Sequence, residues 1–173
     1  AMSKMIALGM YNESDIWFKA AKDIGYKLYV VCPNFREHPL YEKMKPFVHE
    51  FVDLDYSDLD SLSRFCTDRA IDASLCLPCP SSTLMAQARL NTRLNFQGLQ
   101  AKTADMCCDK LKFHSILEKF DFPRPSCTLP ATSENANAFN FPFIVKPSFG
   151  AGGIEVSKIN NSDDLEMFFK NIE

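Results

Sequence analysis

Short apolar runs alternate with segments of helical periodicity along the first hundred residues. The apolar runs predict strands, which lie at 4–10, 27–32, 47–54 and 73–77. Between them, hydrophobic residues recur every three or four positions and predict helices at 16–24, 58–70 and 81–94. Strands that alternate with helices are typical of parallel sheets with right-handed crossovers. Residues 1–105 are therefore predicted to form a small, doubly wound, Rossmann-like α/β domain.

The same periodicity indicates which helix faces pack inward. In the first helix we expect the inward face to consist of Ile16, Ala20, Ala21 and Ile24. Trp17 lies beside Ile16 and widens this face. In the third helix, we expect Leu84, Met85 and Ala88 to share one face. Ligands of such sheets bind at the carboxyl ends of the strands, here near residues 9–12, 32–34 and 78–82.

The pattern changes after residue 105. A helix over 109–120 is predicted to begin at Asp109, and Pro123 ends it. A short helix is predicted at 133–139 and a strand that ends near Lys146 at 141–147. A glycine-rich turn follows at 148–153 and a return strand at 154–159, and a last helix begins at about residue 161. Residues 106–173 are therefore predicted to form a partial α+β unit, because one hairpin and its helix need further cover.

Composition excludes several classes of function. The chain has 19 Lys and Arg residues and 22 Asp and Glu residues. Residues 1–105 carry 12 positive and 13 negative charges, and residues 106–173 carry 7 positive and 9 negative charges. No region is therefore basic enough to favour binding of nucleic acid. No apolar run approaches the length that spans a bilayer. Seven scattered cysteines are an odd number, which favours reduced thiols and a cytoplasmic protein.

The strongest local signal for chemistry is a lysine at a strand end beside a glycine-rich turn. Lys146 is followed by Ser148 and then by Gly150, Ala151, Gly152 and Gly153. Glycines allow positive φ and turn backbone N–H groups toward an anion, while an ammonium group binds phosphate oxygens. The alternative is a flexible hairpin turn beside a surface lysine. The segment is not a P-loop, because its lysine precedes the glycines and a strand follows them.

These residues resemble the nucleotide-binding hairpin of ATP-grasp enzymes. The resemblance rests on the segment FPFIVKPS followed by GAGG, and on Cys108-Asp109-Lys110 opening a helix that ends at Phe122-Pro123-Arg124-Pro125. The preceding α/β unit resembles the preATP-grasp domain of biotin carboxylase, the carbamoyl phosphate synthetase large subunit and amino-acid ligases. Residues 1–105 would be that domain, and residues 106–173 the beginning of the ATP-grasp domain.

The resemblance implies roles for particular residues. Lys110 and Lys146 match the two lysines that hold ATP phosphates. The residues that match the mobile loop over the phosphates are Ser148, Gly150, Ala151, Gly152 and Gly153. Family members use ATP and Mg²⁺ to activate a small-molecule carboxylate as an acyl phosphate, which an amine or another nucleophile then attacks.

Further expectations concern the chain as a whole. We expect the residues that contact adenine and the acidic ligands of Mg²⁺ to lie after Glu173, so this chain by itself is not expected to turn over substrate. Pairing between copies is compatible with an unfinished second unit. The alternative function is a non-catalytic, nucleotide- or metabolite-binding module that acts with a partner chain.

Several other residues have two readings. Glu155 occupies a place where the family has a small residue, and its carboxylate would repel phosphate if it faced the site. The Cys76–Cys79 spacing is that of a redox pair, although we favour apolar strand cysteines. His114 shares a helix face with Lys110, and we expect an ordinary half-buried histidine there. The hydroxyls at 81–83 would either cap a helix or bind an anion.

Overall fold

The computed structural model describes residues 3–126, 132–136, 138–150 and 152–172. They form two compact units that divide between Asp105 and Met106. Among the described residues, the first unit contains two hydrophobic clusters and the second contains one.

The first unit is built on a four-stranded parallel sheet. Its elements are β1 (Lys4–Leu8), α1 (Ser14–Asp23), β2 (Lys27–Val31), α2 (Tyr41–Met44), β3 (Glu50–Val52), α3 (Leu59–Asp68), β4 (Ala73–Leu75) and α4 (Ser81–Leu94). The helix α5 (Ala101–Cys108) follows, and the boundary between the two units falls within this helix. The strand order is β3-β2-β1-β4, and Ile6 of β1 lies opposite Tyr29 of β2 and Ser74 of β4. The predicted doubly wound α/β class is confirmed, although each strand is shorter than its apolar run.

Both faces of this sheet are covered. Because successive strand residues point to opposite faces, Ile6 and Leu8 pack with Leu62 of α3 and Leu90 of α4. On the other face, Ala7 joins a cluster that includes Phe18, Leu28, Val30 and Met44. A sheet buried on both faces explains why the strands are continuous apolar runs without alternation.

The predicted inward face of α1 is wrong except at Ala21, which is buried; Ala20 is exposed. Ile16 and Ile24 are 62% and 72% exposed, and Trp17 is 44% exposed, whereas Phe18 is fully buried and Ala21 nearly so. The helix begins at Ser14, whose buried hydroxyl accepts a hydrogen bond from the Tyr11 backbone N–H, and this contact sets the rotation of the helix.

The helix α4 has the predicted bounds but a different inward face. Leu84 and Met85 are only half-buried, and Ala88 is buried as expected. The other side chains that α4 buries are Thr83, Ala86, Gln87, Leu90 and Asn91. Polar residues are tolerated there because Asn91 receives a hydrogen bond from Ser74 and donates one to the Leu99 carbonyl.

Two helical regions were not predicted. Residues 33–48 contain α2 and two short 3₁₀ turns at Phe35–Glu37 and Lys45–Phe47, and they bury Phe35 and Met44. Pro46 lies near the start of the second 3₁₀ turn, where its fixed φ is accommodated. The second missed element is α5. No helix in the described ranges is long and apolar enough to cross a membrane.

The second unit is a hairpin with helices around it. Its elements after α5 are α6 (Lys110–Lys119), α7 (Ser133–Ala136), β5 (Phe143–Val145), β6 (Ser157–Ile159) and α8 (Ser162–Ile172). The two strands are antiparallel, with Phe143 opposite Ile159. Ala136, Ile159 and Leu165 form a small buried cluster against which Phe143 and Phe168 pack. The return strand is shorter than predicted because residues 152–155 belong to the turn.

Candidate functional site

The end of β5 and the start of α6 line one cavity in the second unit. Its volume is about 450 Å³, and Lys110, Lys146 and Ser148 are among its lining residues. Lys146 directly follows the last residue of β5, and Pro147 extends the chain away from the ladder without needing a hydrogen-bond donor. Lys146 pairs with no carboxylate in the described part of the chain. Its ammonium group is thus available to an anionic ligand.

Lys110 is held at the same place by the start of α6. Asp109 caps this helix, because its carboxylate accepts hydrogen bonds from the backbone N–H groups of Leu111 at 2.9 Å and Lys112 at 3.4 Å. The cap fixes Lys110 as the first helical residue.

Lys110 also fastens the helix to the glycine-rich turn. Its backbone N–H donates to the Ser148 carbonyl at 3.0 Å, and its ammonium group donates to the carbonyls of Gly150 at 3.0 Å and Ser148 at 3.4 Å. The side chain therefore positions the turn, a role that the sequence did not indicate. An ammonium group has three donors, so these contacts leave capacity for a phosphate oxygen.

The three described glycines of the turn all have positive φ, and none of them is among the residues that line the cavity. Gly150, Gly152 and Gly153 have φ of 122°, 72° and 74°, which disfavour other residues. A Cβ atom added at any of the three would meet no described heavy atom within 4 Å, so the glycines are required by conformation and the space beside them is open. The predicted loop residue Ala151 lies outside the described residues.

Glu155 is exposed and has φ of 58°, a left-handed conformation that glycine adopts more easily. It does not line the cavity. The Glu155 carboxylate is therefore not part of the cavity wall.

The rest of the cavity wall is largely apolar, and the sequence did not reveal it. The remaining lining residues are Leu111, His114, Pro125, Ser126, Ala136, Phe139, Phe143, Ile144, Val145 and Pro147. These residues come from four separate stretches of the chain, at 111–114, 125–126, 136–139 and 143–147, so no local spacing brings them together. The cavity combines a cationic end at Lys110 and Lys146 with apolar and aromatic walls, and none of its lining residues is acidic.

This arrangement suits a ligand with an anionic group, because the two lysines attract phosphate oxygens. The ring of Phe143 packs against the rings of Phe139 and Phe141 and against the buried cluster of the hairpin. The described residues contain no group of three or more His, Cys, Asp or Glu side chains placed to hold a metal ion. A divalent cation here would depend on ligand oxygens.

The carboxyl edge of the first sheet is closed by protein groups. The Tyr11 hydroxyl is hydrogen-bonded to Thr83 Oγ1 at 2.8 Å across the gap between β1 and α4, and burial raises the pKa of Tyr11 above its ordinary value. Thr83 thus bonds to Tyr11, and none of the α4 side chains caps the helix. The Tyr11 ring also lies within 2.8 Å of where a Gly9 Cβ would stand, so only glycine fits at the end of β1.

Cys76 and Cys79 form no disulfide in the described part of the chain. Burial raises the pKa of Cys76, which is opposite to the lowered pKa of a redox thiol. The structure therefore favours two ordinary strand-end cysteines.

Comparisons with known proteins agree with this geometry. The family model of the ATP-grasp domain matches residues 107–172. The carbamoyl phosphate synthase large chain of Lachnoclostridium phytofermentans is 30% identical over 90 residues, which are 50% of this chain and 8% of that protein.

Solved structures extend the likeness to nearly the whole chain. The L-amino acid ligase from Bacillus licheniformis has a TM-score of 0.80 at 20% identity, covering 98% of this chain and 42% of that one. An N5-carboxyaminoimidazole synthetase from Staphylococcus aureus, complexed with ADP, has a TM-score of 0.75 at 21% identity, covering 98% and 44%. The chain thus spans less than half the length of these structures, whose fold it shares. The family match covers residues 107–172, and the solved structures show the fold of nearly the whole chain.

Proposed function

We propose that this chain is the nucleotide-binding amino-terminal portion of an ATP-dependent ligase that activates a carboxylate for attack by an amine or another nucleophile. The observation that carries the proposal is the convergence of Lys110, Lys146 and Ser148 on one cavity beside the positive-φ turn. In this proposal, residues 1–105 are the preATP-grasp domain and residues 106–173 the beginning of the ATP-grasp domain.

The proposed role of Lys146 is to neutralise phosphate charge. It lies at the cationic end of the cavity and is not paired with a described carboxylate, so no ion pair has to break when a triphosphate binds. Charge neutralisation matters because phosphoryl transfer depends mainly on positioning and electrostatic stabilisation.

The proposed role of the turn is to present backbone N–H groups to the phosphates. Lys110 holds the carbonyls of Ser148 and Gly150 against α6, and the open space beside the glycines at 150, 152 and 153 accommodates phosphate oxygens. We include Ala151 in this loop on its sequence position alone.

ATP would supply the phosphoryl group that converts the carboxylate to an acyl phosphate, with Mg²⁺ sharing the phosphate charge. The chain's own residues bind and orient the triphosphate: Lys146 neutralises charge, and Lys110 keeps the turn in place. The carboxylate substrate and the acidic metal ligands are assigned to parts of the protein outside this chain. The described cysteines form no disulfide, and we include a cytoplasmic location in this proposal.

Titration calorimetry with inorganic tripolyphosphate and with ATP, each with Mg²⁺, tests this proposal. Lys146→Ala is expected to lower the affinity for both ligands about tenfold, because it removes one charge-assisted contact. The matched control is Lys158→Ala, which removes an exposed lysine from the neighbouring strand without touching the cavity.

Salt distinguishes a phosphate contact from a change of fold. Raising the ionic strength should shrink the difference between wild type and Lys146→Ala, since salt screens exposed charges. Equal losses in the Lys146 and Lys158 variants, or no binding by the wild-type chain, would contradict the proposal.

A further inference from the structure

One face of α1 is apolar and exposed. It carries Ile16, Trp17 and Ala20, and Ile24 continues it at the end of the helix. In the described part of the first unit, every large hydrophobic side chain that is exposed belongs to this group. Single exposed apolar residues are ordinary, whereas a contiguous group marks a surface for interaction. We call these four residues the α1 stripe.

The other contacts of α1 are made from different sides of the helix. Its buried side faces the sheet. Asp15 forms an ion pair with Lys43 at 3.0 Å. The ammonium group of Lys22 donates to the Pro46 carbonyl at 2.8 Å. On a helical projection, Asp15 and Lys22 lie on the side opposite Ala20, so the segment that contains α2 leaves the α1 stripe open.

The α1 stripe is arranged symmetrically about its own centre. Ile16 and Ile24 lie four residues before and four residues after Ala20. If a second copy of α1 packs antiparallel with a two-fold axis at Ala20, each Ile16 meets Ile24 of the other copy. The small side chain of Ala20 at the axis allows the two helices to approach closely. The stripe is therefore complementary to itself.

The charges beside the α1 stripe have the order that this pairing requires. Lys19 and Asp23 lie along one edge of the stripe and are 60% and 56% exposed. They pair with each other within one chain. Helical side chains lean toward the N-terminus of their own helix, so the same two-fold axis brings Lys19 of each copy beside Asp23 of the other. Asp23 ends α1, where a carboxylate opposes the helix dipole and gains from a second cation.

We propose that two copies of this chain associate through the α1 stripe, with their α1 helices antiparallel and Ala20 at the two-fold axis. The apolar pattern and the charge order both fit a second copy, and neither depends on the proposed function. One helix face from each copy is smaller than a standard interface, so we expect a weak dimer with a Kd of about 10–100 µM.

Sedimentation equilibrium of the full 173-residue chain, from about 1 to 500 µM, tests this proposal. The average mass of the wild type should rise from one chain toward two. Ile16→Glu should weaken association at least about tenfold, because it places a carboxylate against Ile24 of the other copy. The matched control is Met167→Glu, which changes an equally exposed residue of α8 and should associate like the wild type. Both variants should keep the wild-type melting temperature at the lowest concentration, since both positions are exposed.

An exchange of charges tests the antiparallel arrangement. Lys19→Glu leaves two acidic residues along the edge of the α1 stripe, and Asp23→Lys leaves two basic residues. Each variant alone should associate about tenfold more weakly than the wild type, because like charges then face each other. An equimolar mixture of the two variants should associate about as tightly as the wild type. Loss of the ion pair within one helix cannot produce that recovery.

Three results would overturn the proposal. One is a wild-type chain that stays monomeric at the highest concentration, since the α1 stripe would then have a different occupant. Another is a dimer that Ile16→Glu does not weaken more than Met167→Glu, which would place the contact on a different surface. The third is a mixture of the two charge variants that associates no more tightly than either variant alone.

Discussion

The contact between Lys110 and the glycine-rich turn leads to a prediction that separates the two lysines. Replacing Lys110 with Met keeps the aliphatic stem and removes the ammonium group, which donates to the Gly150 and Ser148 carbonyls at 3.0 and 3.4 Å. The backbone N–H of residue 110 still donates to the Ser148 carbonyl at 3.0 Å. That amide proton therefore reports directly on how often the turn separates from α6.

The expected magnitude follows from these two contacts. Buried hydrogen bonds to a charged group are worth about 1.5–3 kcal/mol, but Lys110 is only half-buried and solvent screening reduces this value. A loss of about 1 kcal/mol in the opening free energy corresponds to about fivefold faster exchange at the residue 110 amide.

Hydrogen exchange followed by NMR measures this rate in the ligand-free chain. Lys146→Ala is the matched control, because Lys146 lines the same cavity without bonding to the turn, and its exchange at residue 110 should stay at the wild-type rate. Unchanged exchange in Lys110→Met, or equal acceleration in both variants, would refute the assignment of Lys110 as the residue that fastens the turn.

Two further predictions concern the first unit. Phe18→Ala is expected to lower the free energy of unfolding by about 3–5 kcal/mol, because Phe18 is fully buried, whereas Ile16→Ala, at 62% exposure, should change it by less than about 0.5 kcal/mol. Chemical denaturation measures the free energy of unfolding of both variants. A loss for Ile16→Ala that clearly exceeds about 0.5 kcal/mol would contradict the buried face assigned to α1. Burial raises the pKa of the Cys66 thiol to about 12 in the folded state. The thiol of the unfolded chain ionises near pH 9, so between these two pH values only the folded protein keeps the proton on Cys66. Stability should then fall by about 1.4 kcal/mol per pH unit from about pH 9 to 12. Cys66→Ala should lose this dependence and Cys107→Ala, an exposed control, should retain it; equal pH profiles in all three proteins would contradict the assignment.

The α/β architecture could be predicted because its signals are local. The strands β1 and β2 are apolar runs, α3 has Leu62 and Cys66 one turn apart on its buried face, and Asp109 is a cap residue at the start of α6. Each of these features depends on a few neighbouring residues. Local periodicity and capping chemistry therefore sufficed to give their type and approximate place.

The misplaced face of α1 shows where this reasoning stops. Ile16 and Ile24 form a stripe as regular as that of Phe18 and Ala21, so the sequence offers two candidate faces. The hydrogen bond between Tyr11 and Ser14 selects one of them, and hydrophobic spacing does not encode that contact.

The candidate site divides in the same way. Lys146, Ser148 and the glycines are neighbours in sequence, so their chemistry is readable there. The bonds from Lys110 to the turn span 38 and 40 residues, and the aromatic walls at Phe139 and Phe143 meet α6 only through the fold. The sequence therefore indicated which residues carry charge, but not which of them holds the turn or what surrounds the cavity.

The central claim is that Lys146 contacts the phosphates of a bound nucleoside triphosphate. An ATP analogue with an acyl group on its terminal phosphate transfers that group to amines beside the phosphates, and mass spectrometry locates the label. We predict acylation of Lys146, suppressed by excess ATP, with Lys158 left unlabelled at the same exposure time. Labelling of Lys146 and Lys158 to the same extent, or labelling that excess ATP does not suppress, would contradict the claim.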